Sequence, residues 1–158
     1  MKKSRVKFDD SKLQAILKKV TTDKAKGVRI GILGSGQARE DGLTNAEVGS
    51  IHEFGSFSKG IEKRSFLKDT ITIKKKEIRH AIVGEIKDVS VGKKTKTLAL
   101  ARIGLVIEGF VIDSFNTGGF GKWAKLSLKT IAQKTKNSTK ILVDTSSLKN
   151  SITSKVIK

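Results

Sequence analysis

Apolar residues recur along this chain with two periods, and each change of period marks a predicted element. Leu13, Ile16, Leu17 and Val20 follow Ser11 at helical intervals, and Ser11 with Gln14 has capping-box spacing, which predicts an amphipathic helix from Ser11 to about Thr22. Val28, Ile30 and Ile32 then alternate with Arg29, Gly31 and Leu33, so residues 26–33 are predicted as a strand with at least one buried face. The polar, glycine-containing stretch 34–43 reads as a surface loop. Thr44 with Glu47 forms a second capping box that opens a helix toward Phe54, and residues 55–63 make another loop.

From Ser65 to about Val89, the residues Leu67, Ile71, Ile78, Ile82, Ile86 and Val89 are spaced by three, four or seven. This pattern predicts the long helix of the domain, with Lys74, Lys75, Lys76 and Lys87 outward. A basic turn, VGKKTK, leads into an apolar helix from Thr97 to Ser114. Apolar positions nearly encircle it, which implies burial on more than one side, in the core or against another subunit. Ser127 caps a brief helix through Gln133, residues 134–140 form a loop, and Ile141 to Ile157 holds a short turn or helix followed by a strand around Ser151 to Ile157 that can pair with VRIGIL. The expected fold class is α+β: a small, mostly antiparallel sheet packed with one long helix and a second apolar helix, joined by long loops. Residues 1–158 are expected to form a single domain, with residues 1–8 as a flexible extension.

Composition and charge change this picture in several ways. There is no cysteine, so disulfides, thiolate metal sites and thiol nucleophiles are excluded, and there is no proline, so Gly, Ser, Asn and Asp mark the loops. The apolar run from Leu98 to Phe115 is interrupted by Arg102, Glu108 and Asp113 and falls short of the ~20 uncharged residues of a membrane span. The basic N-terminus lacks the apolar centre of a signal peptide, which places synthesis in a cytoplasm. Finally, 33 Lys and Arg against 15 Asp and Glu leave a net charge of +18. Nucleic acid is the partner this suggests, but with one Trp, no Tyr and seven Phe the stacking platforms of single-strand binders are scarce. Attraction to phosphates without base readout fits better, and Lys74, Lys75 and Lys76 are the candidate phosphate contacts, set against the plainer reading of a solvated helix face.

The motifs that carry chemistry fail on inspection. The glycines of GILGSG, at 31, 34 and 36, reverse the spacing of a dinucleotide fingerprint. NTGGFGKW resembles a phosphate loop, yet Asn116 stands in place of its first glycine, Trp123 in place of the magnesium-binding Ser or Thr, and a helix rather than a strand precedes it. His52-Glu53 begins like a zinc-protease helix, but Ser56 occupies the position of the second histidine. His80 is the other histidine, and no base stands beside a nucleophile, so no catalytic residue, metal or cofactor is expected.

Three ordered segments carry a resemblance. They are DGLTNAEVGSIHEFGS (41–56), IEKRSFLKDT (61–70), and FGKWAKLSLKTIAQK (120–134) taken with ILVDTSSLKNSI (141–152). In order and separation they resemble the phage virion morphogenesis family, whose members act in tail completion and head–tail joining. The family commonly has Pro near Glu62, Lys125 and Leu128 and Gly near Ser146, all absent here. The resemblance implies a non-enzymatic structural subunit that assembles as a homo-oligomeric ring, such as a hexamer, at the neck or head-proximal tail end of a phage or prophage virion, after assembly in the host cytoplasm. Its implied partners are connector, tail terminator or tail tube proteins and further copies of itself, with non-specific DNA contact as the alternative. Trp123 and Phe54 are expected as core anchors. Phe120, Lys122 and Lys125, in and beside a flexible NTGGFGK loop, are the candidate subunit or partner contacts, and the loop 34–42 is similarly free to reach a neighbour.

Overall fold

The computed structural model describes residues 10–34, 39, 42–134 and 139–158. Residues 1–8, most of the 34–42 loop and residues 135–138 of the 134–140 loop lie outside the described residues. The elements run α1 (Ser11–Thr22), β1 (Gly27–Ile32), α2 (Asn45–Phe54), α3 (Lys68–Ile73), α4 (Lys75–Ser90), α5 (Lys96–Thr117), α6 (Leu128–Ala132), α7 (Ser147–Asn150) and β2 (Ile152–Ile157). The fold is α+β, and its sheet is a two-stranded antiparallel pair in which Val28 faces Val156 and Ile32 faces Ile152.

Helix α5 is the centre of the molecule. Ala99, Ile103, Ile107, Val111 and Phe115 recur every four residues and are buried as one ridge. The sheet covers one side of this helix and α4 the other. Gly104 allows the sheet to approach, because a Cβ there would lie 2.8 Å from Val28 Cγ2 and 3.0 Å from Ser154 Cβ. The ridge ends in an aromatic cluster: Phe115 packs on Phe66 with centroids 5.1 Å apart and meets Trp123 edge-on at 5.9 Å.

Four expectations are corrected. The long helix of residues 65–89 is divided at Lys74 (φ −91°, ψ 15°), and α5 rather than this segment is the longest helix. The β-branched run Thr70-Ile71-Thr72-Ile73 is a poor helix former, and Ile71 and Ile86 of the expected apolar face are exposed. Lys74 does not project outward. It pairs with Glu77 at 3.0 Å and its Nζ lies 5.4 Å from the ring centres of both Phe110 and Phe120, where the half-buried cation is attracted by the ring quadrupoles. Phe54 is no core anchor either, being 74% exposed at the end of α2. At the start of α1, Asp10 takes the cap position expected for Ser11, and Gln14 Nε2 donates to its carboxylate at 3.2 Å.

The Thr44–Glu47 capping box is present as predicted, with the Thr44 hydroxyl accepting from Glu47 N–H at 3.2 Å and the Glu47 carboxylate accepting from Thr44 N–H at 2.8 Å. Asp23 performs a comparable task across the chain. Its carboxylate accepts from Ala25 N–H (3.0 Å), Thr97 N–H (2.7 Å) and the Thr97 hydroxyl (2.7 Å), which ties the end of α1 to the first turn of α5. These bonds hold its pKa down at about 2, the Ala25 amide contributing most.

Candidate functional site

The first two segments that carry the family resemblance are neighbours in sequence, and they join the distant third into one substructure. The first joint is the carboxylate of Glu53, 7% exposed, which accepts from the Ser65 hydroxyl (2.7 Å) and from the N–H groups of Phe66 (2.8 Å), Leu67 (2.9 Å) and Lys68 (3.0 Å). Leu67 at the cap of α3 has no side chain able to cap it, so Glu53 satisfies the free amides of that helix from another element. Ser65 continues the pattern by accepting from Asp69 N–H at 3.1 Å. The glutamate of the His52-Glu53 pair is thereby an anchor between the first and second segments. The second joint links the first and third segments: the Asn45 amide and the Ser147 hydroxyl exchange hydrogen bonds of 3.0 and 3.2 Å.

Between these joints lies a cavity of about 250 Å³. Val48 and His52 from the first segment, Arg64 from the second, and Thr130, Lys134 and Asp144 from the third are on its wall, together with Arg39. Lys134 Nζ reaches across to donate to the carbonyls of Lys140 and Val143. Burial lowers its pKa, Arg64 adds to that shift and Asp144 opposes it. The pKa of His52 is also lowered, first by burial and then by repulsion from Arg64 and Arg39, which disfavours the charged imidazole. His52 Nδ1 and Arg64 Nε are both buried without a hydrogen-bond partner. Neither signal was visible in sequence, because four basic residues at 39, 52, 64 and 134 share no local pattern.

The glycine-rich turn that resembles a phosphate loop has different geometry. Gly118, Gly119, Phe120 and Gly121 all have positive φ and close α5 as a left-handed turn. Its amides are already used: Gly119 donates to Ser114 O (2.7 Å), Phe120 to Thr117 Oγ1 (3.1 Å), Gly121 to Thr117 O (3.0 Å) and Trp123 to Gly118 O (3.0 Å). The turn also sits at the negative end of a helix, where a phosphate is repelled. The expected flexible loop is therefore a hydrogen-bonded turn. Trp123 packs against the core as expected, over Gly119, while Lys122 and Lys125 are exposed and Phe120 is half-buried beside Lys74. Phe120 thus belongs to an internal cation–aromatic cluster, and only Lys122 and Lys125 of the candidate contacts face solvent fully.

Several apolar surfaces are exposed, among them a groove between α1, α4 and α5 lined by Leu13, Leu17 and Ile86. Leu98, Leu105 and Val106 lie on the third side of α5, 48%, 62% and 39% exposed. Phe57 stands fully exposed in the turn bounded by the Ser56–Ile61 bridge, with Phe54 close in sequence. On α4, Lys75, Lys76, Arg79, His80 and Lys87 are exposed. No helix among the described residues is long and apolar enough to cross a membrane, and no group of three or more His, Cys, Asp or Glu among them has metal-binding geometry. Comparison with protein families, curated proteins and solved structures finds no match to this chain.

Proposed function

We propose that this chain is a structural subunit of a tailed phage or prophage particle, acting in tail completion and head–tail joining as a ring-forming component of the neck or tail end. The observation that carries the reading is the convergence of the three segments that resemble the virion morphogenesis family on one substructure, locked by Glu53 and by the Asn45–Ser147 pair. The first two segments adjoin in sequence, so the Asn45–Ser147 pair, which spans 102 positions, is the informative contact.

The surfaces support work by contact. A helix that buries two sides in its own domain and leaves Leu98, Leu105 and Val106 on the third has an apolar face for a neighbour, and in a ring that neighbour is a second copy. The exposed Phe57 turn suits a heterologous partner such as a connector, tail terminator or tail tube protein, since a rigid aromatic at a loop tip is a typical contact anchor. Particles lacking this chain contain filled heads beside separate tails under the electron microscope, and joined, infectious virions would overturn the proposal. In solution, Leu105→Glu shifts the sedimentation of the purified chain toward the monomer, because it places a charge in the shared apolar face.

A second reading, non-specific contact with duplex DNA, is favoured by the exposed row Lys75, Lys76, Arg79 and Lys87 on α4. It predicts binding that weakens steeply with salt, with a shallower salt slope in Lys75→Glu and Lys76→Glu, and no binding at ~50 mM salt eliminates it. Lys74, paired with Glu77, is not part of that row.

A further inference from the structure

We propose that the cavity lined by Arg39, His52, Arg64, Lys134 and Asp144 is a binding site for a dianionic phosphate group. Three fixed cations face one carboxylate across a space of about 250 Å³, so two positive charges have no counter-charge among the described residues that line it. Arrangements that bring arginine, arginine and lysine together in a partly enclosed site are unfavourable when empty and become favourable when an oxyanion enters.

The unpartnered atoms point the same way. Buried polar groups are nearly always hydrogen-bonded; Arg64 Nε, unpartnered on this cavity, is a donor in want of an acceptor, and His52 Nδ1, also unpartnered, becomes one when an entering anion favours the protonated imidazole. The other Arg64 contact, Nη2 to Glu62 at 3.1 Å, is to a carboxylate that is itself 62% exposed. Solvent screens that exposed pair, so it offsets the guanidinium charge only weakly. Hydroxyls of Thr145 and Ser146 on the wall supply neutral donors of the kind that complete a phosphate shell. Apolar Val48 and Leu148 close the site and lower the local dielectric, which strengthens each charge contact. The charge match selects phosphate over a carboxylate, which brings one negative charge where two are accommodated. This site is independent of ring formation, since it uses neither the α5 stripe nor the Phe57 turn.

The two histidines make the test direct. His80 is exposed on α4 and acts as an internal control for His52. Imidazole resonances of the full chain are followed by NMR while inorganic phosphate replaces chloride at constant ionic strength. Phosphate in the cavity produces a saturable shift at His52 and not at His80, and raises the His52 pKa by supplying the opposite charge that Arg39 and Arg64 deny it. Arg39→Gln and Arg64→Gln each weaken the binding by roughly tenfold or more, as expected for loss of one charge-assisted contact. Repeating the titration with a short duplex oligonucleotide separates a free or terminal phosphate from a DNA phosphodiester: a smaller effect of the oligonucleotide at equal phosphate supports the dianion site, and a larger one overturns it, because each phosphodiester brings a single negative charge. The proposal fails if His52 responds to neither probe, or if Arg39→Gln leaves the His52 response unchanged while far-ultraviolet circular dichroism shows the variant folded.

Discussion

Replacing Glu53 by alanine is the sharpest test of how the fold is held together. In the parent, one buried carboxylate accepts three backbone N–H bonds and one hydroxyl bond between 2.7 and 3.0 Å. Removing it leaves three amides at the start of α3 without an acceptor. An orphaned buried donor costs about 1–3 kcal/mol, and breaking a buried charged network about 3–5 kcal/mol. The bonds share a single carboxylate, so their losses do not add, and a total of about 4 kcal/mol is expected. Against a typical domain stability of about 5–15 kcal/mol that is a large fraction. With a urea dependence of about 2 kcal/mol per molar, the unfolding midpoint of Glu53→Ala falls by about 2 M. Glu53→Gln keeps one carbonyl acceptor but turns an NH2 toward backbone N–H groups, and loses about half as much. Urea unfolding followed by circular dichroism measures both. If Glu53→Ala lies within about 1 kcal/mol of the parent, the carboxylate is not the anchor described here.

Three further outcomes follow from the geometry. Asp23 has a folded-state pKa depressed to about 2 from 3.8, so its contribution is present above the unfolded value and is lost as pH falls through the folded one. The melting-temperature difference between parent and Asp23→Asn is therefore full above about pH 4 and closes toward pH 2, and a pH-independent difference would refute the linkage. Gly119→Ala and Gly121→Ala form a controlled pair, since both have positive φ (69° and 79°) but only at Gly119 does a Cβ meet the indole, 2.3 Å from Trp123 Nε1. Gly121→Ala costs about 1–2 kcal/mol from backbone conformation alone, and Gly119→Ala about 2–5 kcal/mol with the clash added; equal losses in thermal unfolding would contradict the packing of Trp123 over the turn. Phe115→Ala, which removes the ring shared by Phe66 and Trp123, lowers stability by about 3–5 kcal/mol, and a loss under about 1 kcal/mol would show that these aromatics are not the end of the core.

Local chemistry determined the elements that local chemistry can specify. The period-four ridge of α5, the Thr44–Glu47 capping box, the Ser127 cap of α6 and the alternation in VRIGIL are each complete within a few residues, and each element stands within two or three residues of its expected position. The pairing of β1 with β2 was also legible, because two apolar-alternating strands in a chain this short have few other partners. What only the tertiary structure decided are relations between distant residues. Lys74 interrupts its helix and turns inward because Phe110 and Phe120, 36 and 46 positions later, make a site for its charge. Phe54 has the composition of a core residue, yet it is exposed because the Glu53 bonds to residues 65–68 set the rotation of α2. The cationic cavity depends on four basic side chains that no periodicity relates, brought together because α2, Arg64, α6 and the segment before α7 pack on one another. Periodicity and capping act over about one helical turn, whereas the hydrogen bonds and ring contacts that shape these sites close loops whose pairing depends on the whole packed core.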